Sequence, residues 1–294
     1  MPNQLTVKAR AKVNLALDVL GRREDGYHDL RMVMQTVSLH DTLILRRWGR
    51  RRGDAPEARL MVRACPRLPV DQRNLALAAA RLFLERTRQS GFALEIELIK
   101  RIPVGAGLGG GSADAAAVLR GLRRMLMPRL TDETLRAWAL ELGSDVPYCV
   151  TGGTCLAEGR GEVLTPLAPL ADCYIVLCKP GFFISTRRAF AELGPIGRRP
   201  DIPALLDALA RGDLSATGRS MLNVFEAETA RRHGAPDAIR AVMERHGAAG
   251  AVMSGSGPAM LGLFAEESSA RAACQALKGE FPKTVLCRPV PADA

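Results

Sequence analysis

Apolar and polar residues alternate strictly near the start of the chain, from Val7 to Leu20. One side of this pattern is apolar (Val7, Ala9, Ala11, Val13, Leu15, Leu17, Val19), and the other is mostly polar (Lys8, Arg10, Lys12, Asn14, Asp18). A period of two residues is that of a β-strand. The pattern predicts a strand with one face on a core, a turn at Asp25-Gly26, and a second extended region from about residue 30 to 45.

Helical spacing follows at residues 74–89, where Leu75, Ala79, Leu82 and Phe83 share one side. Residues 92–98 alternate again and predict a strand. A second helix is expected from Ala113 to about Met127, with Val118, Leu119, Leu122 and Leu126 facing inward. A third helix is expected to begin at Thr131 or Asp132 and to end near Gly143.

Beyond about residue 160, short strands and helices no longer alternate regularly. Strands are predicted at residues 173–178, 249–252 and 260–264, and helices at 202–211, 236–246 and 268–277. Irregular succession favours an α+β fold over a doubly wound sheet. The length of 294 residues allows two domains, which we place at 1–160 and 161–294.

Composition narrows the class of protein. Seven cysteines without a C-x-x-C pair indicate reduced thiols in a cytoplasmic protein. Residues 246–265 lack charged side chains but hold five glycines and Pro258, so we expect no membrane span. The net charge of +10 fits either nucleic acid or small anionic substrates. The arginine-rich residues 46–52 predict a solvated hairpin tip or, as an alternative, an anion or nucleic-acid contact.

The glycine-rich segment 103–112, PVGAGLGGGS, carries the strongest chemical signal. Bare backbone amides beside a helix N-terminus favour a phosphate ligand. The spacing also matches G-x-G-x-x-G, but Asp132 falls at a predicted helix start and not at the end of a second strand, which argues against a dinucleotide fold. No lysine follows the glycines, which argues against a P-loop. The segment predicts a loop around a triphosphate, with the Ser112 hydroxyl as a metal or phosphate contact; a glycine-rich helix entry without a ligand is the alternative.

Three weaker signals accompany this segment. Asp145, in LGSDVP, follows a helix end and can act as a base in phosphoryl transfer or as a simple turn former. Lys12 and Asn14 share one strand face about 7 Å apart, where the lysine can stabilise a transferring phosphoryl group or merely face solvent. The segment 254–258, SGSGP, by itself predicts a tight hairpin.

Taken in order, the K-x-N strand, P-x-G-x-G-L-G-G-G-S, L-G-S-D-V-P and S-G-S-G-P resemble the three motifs of the GHMP small-molecule kinases over nearly the whole chain. Within that superfamily, residues 11–30 and above all G-R-R-x-D-G-Y-H at 21–28 resemble the kinases of a cytidine-diphosphate methylerythritol in the non-mevalonate isoprenoid route. The resemblance implies a ribosomal-protein-like βαβ N-terminal domain, a ferredoxin-like C-terminal domain, and an ATP cleft between them.

The same resemblance implies roles for individual residues. Lys12 and Asp145 would be catalytic, with Asp145 deprotonating the substrate's 2-hydroxyl. Asn14, Tyr27, His28 and Phe190 would bind the cytidine substrate, with Tyr27 and Phe190 as stacking walls and polar groups on the base edge. The ATP-binding set would be Asn74 near the adenine and Pro103, Gly105, Gly107, Leu108, Gly109, Gly110, Gly111 and Ser112 around the phosphates.

The sequence therefore predicts an ATP-dependent kinase, with Mg²⁺ arriving with the nucleotide rather than in a dedicated cage. It predicts a small-molecule partner, with no nucleic-acid or membrane partner, and carries no signal for an oligomeric state. One rival is a kinase of the same superfamily acting on homoserine, mevalonate or a sugar, which has no need of Gly26-Tyr27-His28. A more distant rival is a nucleic-acid-binding protein that uses the 46–52 arginines. Basic residues are not interleaved with aromatic ones, which argues against it.

Overall fold

The computed structural model describes residues 3–49 and 57–292. Its strands, numbered in chain order, are β1 (Gln4–Arg22), β2 (His28–Gly49), β3 (Glu57–Arg63), β4 (Phe92–Ile99), β5 (Thr154–Gly159), β6 (Val163–Pro166), β7 (Tyr174–Lys179), β8 (Leu222–Asn223), β9 (Gly250–Met253), β10 (Met260–Phe264) and β11 (Lys283–Cys287). Its helices are α1 (Leu75–Arg86), α2 (Gly110–Leu126), α3 (Asp132–Leu142), α4 (Val146–Thr151), α5 (Thr186–Ala191), α6 (Ile202–Ala210), α7 (Leu214–Ser220), α8 (Glu226–His233), α9 (Ala235–Arg245) and α10 (Glu267–Lys278).

The chain forms two compact units, and the long strands β1 and β2 contribute to both. The first unit comprises the described residues of Met1–Ala11, His40–Ile102 and Gly109–Thr151. The second comprises those of Lys12–Leu39, Pro103–Leu108 and Gly152–Ala294. Because the chain passes between the units several times, the units do not follow the single boundary at 160 that we expected. That domain boundary remains a prediction.

In the first unit, β4 pairs with β2 in antiparallel register (Thr42 opposite Ile99) and with β3 in parallel. Helices α1, α2, α3 and α4 pack on one another. Small side chains permit this close packing, because Ala113, Ala115, Ala116 and Ala117 of α2 are all buried. The residues that we expected to face inward from α2 and β4 are buried.

In the second unit, β5 pairs with the first half of β2 and with β6, and β8 runs parallel to β1. A separate antiparallel sheet has the order β11-β7-β10-β9. Helices α9 and α10 pack on this sheet, one between β7 and β9 in the chain and one between β10 and β11. The chain order β7-α9-β9-β10-α10-β11 with this strand order is ferredoxin-like, and the predicted C-terminal fold is confirmed.

Several boundaries differ from the sequence prediction. Helix α2 begins at Gly110, three residues before Ala113, because two glycines enter its first turn. Ala79 and Phe83 of α1 are buried as predicted, but Leu75 and Leu82 are only half-buried, and Ala76, Leu77, Ala80 and Leu84 complete the buried face. Residues 46–49 belong to β2 and not to a hairpin tip; residues 50–52 lie outside the described part of the chain.

The polar face of β1 is also not a solvated surface along its whole length. Lys8 is exposed, but Lys12, Asn14 and Asp18 are buried. Each of the three has a specific contact, since Lys12 bonds to Asn14 and Asp18 pairs with Arg199 at 2.7 Å. The buried polar side chains of this face therefore have polar partners, as buried polar groups usually do.

Candidate active site

The predicted phosphate segment connects β4 to α2 and has no regular structure before Gly110. Gly105 and Gly107, with φ of +62° and +77°, adopt the left-handed conformation that favours glycine. A methyl group on Gly107 would lie 2.1 Å from the carbonyl oxygen of Ser254, and one on Gly105 would lie 2.3 Å from the Phe183 ring. The backbone conformation favours glycine at both positions, and at Gly107 the neighbouring backbone also leaves no room for a side chain.

The same part of the segment is bonded to neighbouring backbone in the second unit. The Ser254 hydroxyl donates to the Gly107 carbonyl at 3.0 Å, and Leu108, which is buried, accepts from the Lys12 amide at 3.1 Å. Ala259 donates to Ala106 at 3.1 Å. Pro103 is half-buried at the start of the segment. The 254–258 loop is the tight β9–β10 connection that the sequence predicted, and it supports the glycine segment.

The second half of the segment opens α2 in the first unit. Gly109 is the N-cap, with a left-handed φ of +65°. Gly110 and Gly111 fill the first turn, and Ser112 follows with a half-buried hydroxyl. The first amides of a helix have no partner within it, and the positive end of the helix dipole lies there. This turn presents bare amides suited to an anion.

Lys12 and Asn14 are held together on β1. The Lys12 ammonium donates to Asn14 Oδ1 at 2.8 Å. The backbone amide of Asn14 donates to the Ser254 hydroxyl at 3.2 Å. The Asn14 side-chain nitrogen lies 3.4 Å from the Met32 sulfur. Through Ser254 and Gly107, the K-x-N strand and the first half of the glycine segment form one hydrogen-bonded assembly.

Asp145 is placed by two short helical elements in the first unit. Helix α3 ends at Leu142, and the Val146 amide donates to the Gly143 carbonyl at 3.1 Å. The Asp145 carbonyl then accepts from Cys149 at 3.1 Å, which starts α4, a helix buried along Val146–Val150. Packing on both sides fixes the backbone of Asp145 and leaves its side chain half-buried.

Asn74 has a structural role that the sequence prediction of an adenine contact did not include. Its side-chain oxygen accepts from Ala76 at 3.0 Å as the N-cap of α1, and its side-chain nitrogen donates to Pro69 at 2.9 Å. Asn74 is buried. A contact between Asn74 and adenine stays a prediction.

Of the predicted cytidine-binding residues, Tyr27 and His28 lie at the β1–β2 turn and Phe190 of α5 contacts His28, whereas Asn14 lies within β1. Tyr27 is 52 % exposed, and the Arg160 guanidinium lies 4.7 Å from the centre of its ring. The guanidinium covers one face of the ring, a cation–π contact. His28 stacks directly on Phe190, at 4.7 Å between ring centres, and Phe190 meets Phe225 edge to face at 4.8 Å. No base fits between His28 and Phe190, since both rings are already in contact.

Two groups of residues near the site were missed by sequence reasoning. Arg160, in the turn between β5 and β6, is distant from Tyr27 in sequence, and nothing in its neighbourhood signals the contact. Lys100, Asp41 and Asp114 form a buried ionic cluster beside α2. The signal that could have found the cluster is a lysine directly before the P-x-G sequence.

The seven cysteines, all of them in the described part of the chain, form no disulfide. Burial raises the pKa of Cys155 to about 11 and that of Cys287 to about 12. Such thiols stay protonated and unreactive. Arg46 pairs with Glu95 and Glu97 of β4, so this arginine serves the sheet. Among the described residues, no group of three or more His, Cys, Asp or Glu side chains could hold a metal ion.

Comparison with known proteins identifies two matching family regions. Residues 74–153 match the GHMP kinases N terminal domain, and residues 205–283 match the GHMP kinases C terminal domain. A 4-diphosphocytidyl-2-C-methyl-D-erythritol kinase of Lachnospira eligens is 41 % identical over 281 residues, which cover 94 % of this chain and 95 % of the relative. One of Clostridium beijerinckii is 38 % identical over 290 residues, covering 97 % and 100 %.

Solved structures agree with this assignment. A crystal structure of a 4-(cytidine 5'-diphospho)-2C-methyl-D-erythritol kinase has a TM-score of 0.81 at 36 % identity and covers 97 % of this chain and 99 % of its own. A homoserine kinase from Cytophaga hutchinsonii shares the fold, with a TM-score of 0.78 at 22 % identity, covering 99 % and 96 %. With near-complete coverage in sequence and in structure, this chain belongs to the GHMP kinases and, among them, to the 4-diphosphocytidyl-2-C-methyl-D-erythritol kinase family.

Proposed function

We propose that this protein transfers the γ-phosphate of ATP to the 2-hydroxyl of 4-diphosphocytidyl-2-C-methyl-D-erythritol, giving the 2-phosphate and ADP, in the non-mevalonate route to isopentenyl diphosphate. The observation that carries the proposal is the near-complete match to kinases named for this acceptor, at 38–41 % identity. The exposed Tyr27 at the β1–β2 turn supports the proposal, since a nucleobase can stack on an aromatic ring.

The phosphate-binding role rests on the backbone of residues 103–112. Amides of the left-handed glycines and of the first α2 turn would contact the ATP phosphates, with the Ser112 hydroxyl beside them. Hydrogen bonds from Ser254 and Lys12 to the carbonyls of Gly107 and Leu108 hold the first half of this backbone in place. A preorganised set of donors loses little entropy on binding.

Lys12 and Asp145 would act on the reacting groups. The Asp145 carboxylate would accept the proton of the 2-hydroxyl as the oxygen attacks the γ-phosphorus. The Lys12 ammonium would stabilise negative charge on the transferring phosphoryl group. Its bond to Asn14 Oδ1 at 2.8 Å orients the ammonium on the buried part of β1.

Mg²⁺ would enter with the nucleotide. The ion would take most of its ligands from phosphates and water. When bound, the ion neutralises phosphate charge. Seven cysteines without a disulfide support the cytoplasm as the working compartment.

No helix in the part of the chain that the structure describes is long and apolar enough to cross a bilayer. The partner that we infer is a small-molecule substrate, as in the kinases that this chain resembles. Nucleic-acid binding gains no support from Arg46, whose guanidinium is already paired with two glutamates.

The experiment that tests the proposal measures ADP release by the purified protein with Mg-ATP and one acceptor at a time. The acceptors are 4-diphosphocytidyl-2-C-methyl-D-erythritol, homoserine, mevalonate and galactose. We expect strong release with the cytidine compound alone. Release with one of the other alcohols in its place would keep the kinase and overturn the proposed acceptor.

A further inference from the structure

A buried ionic cluster in the first unit connects the residue that precedes the glycine-rich segment to the helix that follows it. Lys100 is the first residue after β4, and Asp114 lies in α2. The Lys100 ammonium donates to Asp114 Oδ2 at 2.7 Å and also to Asp41 Oδ2 on β2. The side chains of all three residues are at least 95 % buried. One lysine thus links the end of a strand to the start of the helix that carries the phosphate-binding turn.

The cluster also fixes the backbone on both sides of the segment. Asp41 Oδ1 accepts from the backbone amides of Arg101 and Ile102, with a distance of 2.8 Å for Ile102. On the helix side, a methyl group on Gly110 would lie 3.4 Å from the Lys100 ammonium and 3.1 Å from Ile102. The ammonium therefore lies directly beside the first residue of α2.

The charges in the cluster do not simply pair off. It contains one ammonium and two carboxyl groups, and ionising both carboxyls would leave a buried negative charge. Burial raises the pKa of Asp114 to about 8, whereas the two carboxyls outweigh burial and raise the pKa of Lys100. Asp114 Oδ1 is buried and, among the described residues, has no hydrogen-bond partner. The ammonium is held by two carboxyl groups from different elements, which ties β2, the end of β4 and the start of α2 together.

We propose that Lys100, Asp41 and Asp114 are positioning residues that hold the residues on both sides of segment 103–112 in the geometry that binds the phosphates of ATP. They act through the backbone of Arg101, Ile102 and Gly110 and do not touch the nucleotide. The inference rests on the proposed use of ATP, but it does not depend on which alcohol is phosphorylated. Preorganisation of this kind lowers the cost of binding and is lost when a supporting residue is removed.

The test measures the Kd for Mg-ATP by calorimetry and, separately, the KM values for ATP and for the cytidine substrate. Lys100→Met removes the ammonium and keeps a long, unbranched side chain. Asp114→Ala removes the acceptor, and Asp114→Asn keeps an oxygen for Lys100 to donate to. We expect the first two variants to weaken ATP binding at least tenfold with the acceptor KM within twofold, and the asparagine variant to stay within threefold of the parent.

Glu97→Gln is the matched control. Glu97 of β4 pairs with Arg46 of β2 at 2.9 Å, so it bridges the same two strands as the cluster without a bond to the glycine segment. This variant should lose some thermal stability and keep the parent Kd for ATP. If Lys100→Met does not fold, the alanine and asparagine variants of Asp114 carry the test.

Two results would overturn the inference. One is a folded Lys100→Met or Asp114→Ala protein with the parent's Kd for Mg-ATP. The other is an equal loss of ATP affinity in Glu97→Gln, which would make the effect one of general stability. Because the Kd is measured without an acceptor, a parent that binds Mg-ATP but does not phosphorylate the cytidine compound would refute the proposed acceptor and still leave this inference tested.

Discussion

At the scale of single residues, the site combines side chains that act with side chains that hold. Lys12 and Asp145 are the proposed reacting residues, while Asn14 and Ser254 fix the surroundings of Lys12 through bonds of 2.8 to 3.2 Å. Sequence reasoning selected Lys12, Asn14 and Asp145 because each lies in a short motif, and their roles stay predictions. It did not find that Lys12 and Asn14 are buried, since burial depends on which elements cover a strand and not on the strand itself.

Replacing Asp145 by Asn should reduce kcat by about 10²- to 10⁴-fold, because an amide cannot accept the hydroxyl proton. The Kd for Mg-ATP should change by less than about threefold. Single-turnover assays and calorimetry check the two numbers. Glu141→Gln is the control, since Glu141 is an acid on the preceding helix that pairs with Arg86. An asparagine variant with more than about a tenth of the parent rate would remove Asp145 from the role of base.

Replacing Tyr27 by Ala should raise the KM for the cytidine substrate by about tenfold and spare the KM for ATP, since a stacking face is worth about 1–3 kcal/mol. Steady-state kinetics with each substrate varied in turn measures both values. Tyr174→Ala is closely matched, because Tyr174 also carries an arginine over its ring, Arg288 at 4.3 Å, but belongs to the ferredoxin-like sheet. Equal effects of the two variants would argue against base recognition by Tyr27.

At the scale of elements, hydrophobic periodicity predicted the long strands and the packed helices. Strand β4 has nearly the predicted extent because its apolar residues alternate over its whole length. Helix α3 also has nearly the predicted extent, because Thr131 caps its start and Gly143 its end. Short elements were missed, among them α4, β5 and β8, since two to six residues carry too little periodicity. The Lys100 cluster escaped prediction because its members come from β2, α2 and the residue after β4, which only the tertiary fold brings together.

Replacing Gly107 by Ala should weaken ATP binding by more than tenfold and lower Tm by several degrees. The alanine must adopt a φ of +77° and place its methyl group 2.1 Å from the Ser254 carbonyl, so either the loop or the 254–258 turn must move. Thermal melts and calorimetry measure both effects. Gly181→Ala is the control, because no atom lies within 4 Å of its added methyl group. Normal ATP binding by the Gly107 variant would show that this backbone geometry is dispensable.

The Asp114 carboxyl predicts a pH dependence of stability. Its pKa is about 8 when folded, raised chiefly by burial against the effect of Lys100, with Asp41 as the other charged group acting on it. The usual value in an unfolded chain is about 3.9. Between about pH 4 and 8 the folded state keeps a proton that the unfolded state has lost, so this group makes the free energy of unfolding fall as pH rises.

The corresponding slope is at most about 1.4 kcal/mol per pH unit, and it ends above about pH 8. Asp114→Asn removes the titrating group and should give a flatter curve over pH 5–8. Urea unfolding at one-unit steps measures the difference between parent and variant, which cancels the contribution of histidines. Parallel curves for the two proteins would contradict the raised pKa.

At the scale of the whole molecule, the order of motifs identified the family and the structure supplied the supporting contacts. The net charge of +10 is consistent with two anionic ligands, since a positive surface speeds the encounter with both. The expected ferredoxin-like sheet is present, although α5–α8 are inserted between its first strand and first helix. A chain pattern does not predict such an insertion, because inserted helices have the same periodicity as those that cover the sheet.

The measurement that tests the central claim most directly is the identity of the phosphorylated product. The protein is incubated with Mg-ATP and 4-diphosphocytidyl-2-C-methyl-D-erythritol, and the product is examined by ³¹P NMR and mass spectrometry, with the Asp145→Asn variant in parallel. We predict one new phosphomonoester on the 2-hydroxyl, one ADP for each product molecule, and almost none of either from the variant. A phosphate at another hydroxyl, or ADP formed without a phosphorylated acceptor, would contradict the account.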